Sequence, residues 1–246
     1  MLLSSQCCFG ITVLPKTPIC LVAMLIYGLS TSTMADNSQD KKLHRLSLKM
    51  EKAAQKGRWQ RVISLGQSAQ MTCEALRSKR DPGCISIRVR QAIAYYRSGN
   101  AAEHIADIAQ TYHLSQSVLG IDHFSTERTR DIYHQMLMDG EQYEAVIPLV
   151  IEYIEVERSK NNDQFKILDR LIQLYALYHV TAQYDREESV LNQMLELSEK
   201  LLGAEDKYSI RIAIRLAVKY CSEKRYHDFF DFAERRKLDL TCPSSR

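Results

Sequence analysis

The chain has 246 residues, room for one ordinary domain or two small ones. Its 33 Lys and Arg against 30 Asp and Glu leave a formal net charge of +3, too balanced for a protein built on phosphate contacts, so nucleic acid is excluded as the expected partner. With 45% hydrophobic and 26% charged residues the chain is one that folds, and only 9 Gly and 5 Pro leave few turn residues for an all-β architecture, so a mostly helical fold is predicted.

Residues 1–35 carry no acidic residue and one basic residue, Lys16. The apolar run Ile19–Leu29 (ICLVAMLIYGL) follows it. Such a run spans about 16 Å as helix, against about 30 Å of bilayer hydrocarbon, which suits the core of a secretory signal better than a membrane span. Thr33 and Ala35 supply small residues before a cut between Ala35 and Asp36. The alternative is an uncleaved membrane anchor, favoured by the apolar stretch Phe9–Leu14 but interrupted by Pro15, Lys16 and Pro18. The expectation is an exported protein, periplasmic or extracellular, that meets a membrane only through this segment. Its removal leaves Cys73, Cys84, Cys221 and Cys242, an even count that allows two disulfides in an oxidising compartment.

Beyond the leader the sequence repeats. Aspartates recur at Asp40, Asp81, Asp122, Asp163 and Asp206, and a second series lies about twenty residues on at Trp59, Ala101, Tyr143, Tyr184 and Tyr226. Two unrelated residue types keeping one period of about 41 residues predict five helical hairpins. Each aspartate stands where a first helix is expected to begin, its carboxylate accepting from a free N–H of the first turn. Asp81-Pro82 is the clearest example, since proline suits the first helical position. The hairpin breaks are expected in chain order at 56–58, 98–100, 139–141, 180–183 and 222–225, three of them carrying glycine to relieve the helix stop. In the third unit Val146, Leu149, Val150, Tyr153 and Ile154 share one face of the second helix. The fourth unit's first helix is apolar on most sides, from Ile167 to Tyr178, which suits an inner position. The segments 41–56 and 225–237 are charged, as the ends of a stacked array must be.

The stretch from Tyr184 to Gly203 resembles the second helix of a tetratricopeptide (TPR) repeat in the long form of about 42 residues found in kinesin light chains. Leu119-Gly-Ile-Asp-His123 matches the turn between units of that form, Leu202-Gly-Ala-Glu-Asp206 is similar to it, and Pro148 fits a variant of its second helix. The resemblance covers residues 38–240. Where the family has a small residue three places after the aromatic, this chain has Val62, His104, Val146, Glu187 and Phe229. The resemblance implies an all-α, right-handed superhelix of about five helix-turn-helix repeats. Its first helices would line a concave groove that binds a protein or peptide segment. It implies groove-facing positions at Tyr96, Arg97, Arg128, Asp131, Gln135, Asp169, His179 and Arg211. There the arginines would pair with a ligand carboxylate and Tyr96 would pack on an apolar side chain. The basic clamp for chaperone C-termini that some members carry is absent, with Val89 and Ile93 on the corresponding face. The implied organisation is a signal peptide at 1–35, the repeat domain at 36–240 and a tail at 241–246.

The sequence carries few of the motifs that chemistry needs. The seven histidines show no spacing for a metal, and no phosphate loop, nucleophile elbow or Cys-x-x-Cys is present. Glu187-Glu188 and Glu205-Asp206 lie at helix starts, where negative charge is favourable without a catalytic role. The expectation is therefore a binding module, not an enzyme, with no cofactor, no metal and no small-molecule substrate. Cys73 ends one unit and Cys84 opens the next, so antiparallel helices would bring them within disulfide reach. Cys221 and Cys242 would join only if the tail folds back.

Overall fold

The computed structural model describes residues 38–160 and 163–243, so the expected leader at 1–35 and its cut lie outside the described residues. All regular structure among the described residues is helical. Helix α1 covers 38–55, followed by α2 (Trp59–Leu76), α3 (Pro82–Arg97), a single 3₁₀ turn at Ala102–His104 and α4 (Ile105–Leu119). Then come α5 (Phe124–Asp139), α6 (Tyr143–Ser159), α7 (Gln164–Val180), α8 (Tyr184–Leu202), α9 (Lys207–Ser222) and α10 (Tyr226–Arg235). Consecutive helices pair as hairpins, and each hairpin packs on the next. The described residues thus form a helical-repeat array of five helix-turn-helix units. None of the described helices is long and apolar enough to cross a membrane.

One turn recurs at all five hairpins. Gly57, Gly99, Glu141, Ala182 and Lys224 each stand two residues before the aromatic-series position, and each has φ between 54° and 78°. The following residue donates its N–H back into the first helix: Arg58 to Ala53, Asn100 to Tyr95, Gln142 to Leu137, Gln183 to Tyr178 and Arg225 to Tyr220, at 2.8–3.1 Å. This is a left-handed helix stop that satisfies the last free carbonyls while fixing the exit direction of the chain. Gly140 does not supply it, since its φ is −89° and the left-handed residue is Glu141.

The helix starts depart from the aspartate series at two places. Asp81, Asp163 and Asp206 do accept from backbone N–H groups, at Gly83 and Cys84, Phe165 and Tyr208. Asp122 does not cap α5; His123 stands at that position, its Nδ1 accepting from Ser125 N–H at 3.1 Å. Asp40 already lies within helix, and its carboxylate meets Arg77 at 3.3 Å. In the second unit, where Ala101 replaces the aromatic, the chain enters α4 through the 3₁₀ turn and His104 stacks on Tyr95 at 3.7 Å.

Two apolar cores form. One gathers Met50, Val62, Cys73, Cys84, Ile87 and Ile108; the other runs from Tyr112 and Leu137 through Leu171 and Leu191 to Leu216 and Phe229. The large residues at the family's small position are buried in three units, Val62, Val146 and Phe229, each 2% exposed or less. Glu187, also buried, is matched there by His179 at 2.9 Å.

Both outer units are stapled. Cys73 and Cys84 are disulfide-bonded with Cα atoms 5.6 Å apart. Cys221 and Cys242 are bonded with Cα atoms 5.7 Å apart, so the tail does fold back against α9. A terminal unit buries one face only, and a covalent link compensates by restricting the unfolded chain. Replacing Cys84 with Ala, in the oxidised full chain, is expected to lower the unfolding free energy by about 2–3 kcal/mol. Denaturant melts read this directly. Replacing Ala182 or Lys224 with Gly is expected to raise stability by about 0.5–1 kcal/mol, because a Cβ in left-handed backbone costs more than the chain entropy glycine adds. The same substitution at Gln183, one residue on, should destabilise.

Candidate functional site

The two cores meet at a polar seam between α4, α5 and α6. Arg130 is 2% exposed and Glu152 5% exposed. Arg130 Nη1 donates to Glu152 Oε1 at 2.6 Å and to the Ile121 carbonyl at 3.2 Å. The other carboxylate oxygen of Glu152 accepts from the Tyr112 hydroxyl at 2.6 Å and from the Gln116 amide. Burial, then the bond to Glu152, pushes the Tyr112 phenol up, so it stays a donor. The sequence permits this because Thr126 and Thr129, both fully buried, give α5 a thin face on which a long arginine can lie.

Tyr153 roofs the seam and floors a cleft. The Arg130 guanidinium lies 4.4 Å from its ring centre and that of Arg170 lies 4.2 Å away, within cation–π range. Its hydroxyl donates to Asp131 at 2.5 Å. Burial, reinforced by that bond, raises the Tyr153 phenol well above the ordinary value. Above this floor α5 and α7 stand apart, and the space between them is a cleft of about 510 Å³. Glu127, Asp131, Glu157, Lys166, Asp169 and Arg170 line its walls. Glu127 is paired with Lys160 across its outer end. A carboxylate oxygen of Glu157 is covered and without a hydrogen-bond partner.

A directional hydrogen-bond chain bridges the cleft. Arg170 Nη1 donates to Gln173 Oε1 at 3.0 Å, and Gln173 Nε2 approaches His134 Nε2 at 2.8 Å. A guanidinium has no acceptor, so Gln173 must turn its oxygen to Arg170 and its N–H to His134. His134 therefore accepts, and must be neutral at Nε2. Burial and then the nearby Arg170 charge lower its pKa, with Asp131 opposing. The edge of His134 faces Tyr153 from α6, and no carboxylate lies within ion-pair distance of it among the described residues.

The eight expected groove residues divide between this cleft and other places. Asp131 and Asp169 come together on its two walls. Gln135 lies one turn beyond, donating to Asp139 at 2.7 Å. Arg128 is exposed beside Phe124, 6.0 Å from its ring centre. Tyr96 and Arg97 lie exposed at the end of α3, and Arg211 lies exposed on α9. His179 stands at the α7–α8 turn, paired with Glu187. Sequence reasoning did not select Arg130, His134, Tyr153, Glu157, Lys166, Arg170 or Gln173. The repeating threonines before Arg130 were a legible signal, since small residues at helical spacing beside an arginine mark a face able to bury it.

No family model matches the chain, and no curated protein matches it. Among solved structures, the chain is similar to nearly identical TPR-like repeats of the kinesin light chain kind from Podosopora anserina. That likeness is 16% identity over 80% of this chain and 93% of that one, with a TM-score of 0.47, and a substituted form of the same repeats matches equally. It is also similar to BtubC (BKLC) from P. vanneervenii, at 13% identity over 88% of this chain and 93% of that one, with a TM-score of 0.45.

Breaking the seam from one side is expected to cost about 3–5 kcal/mol, as for other buried pairs that lose one partner. Thermal melts of Glu152→Leu should show this, while Arg130→Met with Glu152→Leu together should recover most of it. A pair worth nothing would leave the single variant near wild type. For His134 the sign follows from a lowered folded pKa: its contribution is fully present above about pH 6.5 and is lost as pH falls through the folded value. Stability should therefore drop between about pH 7 and about pH 5 by more in the native chain than in His134→Gln, whose amide oxygen keeps the bridge without titrating. Paired denaturation curves across that range check it.

Proposed function

We propose that this protein is an exported interaction module that holds a segment of a protein or peptide across the first-helix face, centred on the cleft between α5 and α7. The observation that carries the reading is that cleft: a polar, aromatic-floored space between the first helices of two inner units. Asp169, Lys166 and Glu157 have hydrogen-bonding capacity left over there once the pairs within the fold are formed. Arg130 and Arg170 hold the floor rigid, so a bound segment loses less to ordering of the site. The floor arginines are engaged in packing and bridging, which supports a binding surface over a catalytic one. The two disulfides support a compartment outside the reducing cytoplasm.

Crosslinking in intact source cells tests it, comparing the native chain with Asp169→Arg and with Lys52→Glu on α1. The native chain and Lys52→Glu should capture the same partner, and Asp169→Arg at least about tenfold less, the loss of roughly 1.4 kcal/mol. Equal capture by all three would reject the cleft. Mass measurement of the mature chain decides between export with removal of 1–35 and retention as a membrane-tethered assembly factor.

A further inference from the structure

A second cleft opens over α3 and between the second helices α2 and α4, with a volume of about 230 Å³. Two locally unfavourable choices converge on it. Gln91 is 4% exposed, yet its Oε1 has no hydrogen-bond partner. An orphaned buried amide oxygen costs about 1–3 kcal/mol. Gly66, in the middle of α2, weakens that helix by about 0.5–1 kcal/mol relative to Ala. A Cβ there would fall 2.4 Å from Gln91 Cγ, so the glycine exists to admit the glutamine. An apolar residue at 91 would fill the core without either cost.

The one arginine of the cleft is engaged within the fold, and Asp107, largely exposed, lies at its edge. Arg88 donates to Glu74 at 2.6 Å and to Gln110 Oε1 at 3.2 Å, and Asp107 faces His104 at 3.3 Å. The rest of the lining is mostly neutral and polar: the Gln91 oxygen, Gln110 Nε2, Gln70 Oε1, and the Gln67 amide beside the Tyr95 hydroxyl, with one oxygen of Asp107 as a further acceptor. The volume lies below the roughly 300–1,000 Å³ of sites for drug-sized ligands and suits a single small ring.

We propose that this cleft binds a small neutral polyhydroxyl compound of the monosaccharide class. One hydroxyl donates to Gln91 Oε1, and neighbouring hydroxyls meet the Gln67 and Gln110 amides. Adjacent hydroxyls offer a donor and an acceptor side by side, as a primary amide does in the opposite sense. Gln91 lines the cleft with its oxygen covered by protein atoms, so binding requires a turn about its soft terminal torsion. The site is independent of the α5–α7 cleft, and it departs from the sequence expectation of no small-molecule ligand.

Isotope-labelled full-length protein, titrated with D-glucose and N-acetylglucosamine and, as charged control, with glutamate, tests this by amide NMR. The expected result is saturable shifts at the Gly66 N–H and the Gln91 and Gln110 side-chain amides with at least one sugar, and none with glutamate. Gln91→Leu should weaken binding at least about tenfold while leaving the melting temperature unchanged or higher, since it removes an orphaned oxygen. Gln110→Leu, at an exposed position that leaves the core intact, should weaken it several-fold. Three results overturn the proposal: no saturable shift with either sugar, shifts confined to the α5–α7 cleft, or a Gln91→Leu variant less stable than the native chain, which would show the amide satisfied within the fold.

Discussion

A guanidinium taken out of water needs an opposite charge close by, and the answer to Arg130, whose Nε is left without a hydrogen-bond partner, organises the middle of this molecule. Glu152 from α6 supplies the opposite charge, and the Ile121 carbonyl takes a second bond. The Tyr112 hydroxyl and Gln116 amide fill the remaining capacity of the carboxylate. Three helices from two units are thereby placed relative to one another by bonds with narrow geometry, where apolar packing alone would tolerate sliding. The two apolar cores end on either side of this seam. Tyr153 is seated on the same guanidinium, so the floor of the α5–α7 cleft inherits its position from a buried ion pair.

The array itself rests on a simpler device, a helix stop with one left-handed residue repeated five times. Its position is kept even where the residue is Glu, Ala or Lys, which pay strain that glycine would not. The same turn is kept in the units whose second helix buries a bulky residue, such as Val146 and Phe229, three places after the aromatic.

Much of the fold was readable in the residue order because hairpin period and helix breaks are local properties. The aromatic series marks the start of four second helices, and glycine-free breaks at Val180–Gln183 and Ser222–Arg225 fell where the chain turns. Capping was less legible. Asp122 and His123 are adjacent acceptors, and which of them closes α5 depends on a backbone rotation that spacing alone does not reveal. Asp40 kept the period yet lies inside a helix, its carboxylate drawn to Arg77 from 37 residues away. The cleft was harder still. Asp131 and Asp169 were visible as first-helix positions, but Tyr153 read only as one apolar-face residue among five. Its role arises from Arg130 of α5 and Arg170 of α7 both lying against its ring, contacts between separate segments.

If the buried pair holds Tyr153 as the floor of an open cleft, removing both charges should release that floor. A crystal structure of the Arg130→Met, Glu152→Leu double variant tests this most directly. With the polar seam replaced by apolar packing, Tyr153 should leave its place and α5 and α7 should close over α6, shrinking the cleft well below its native 510 Å³. A variant with Tyr153 in place and the cleft at its native volume would contradict the account.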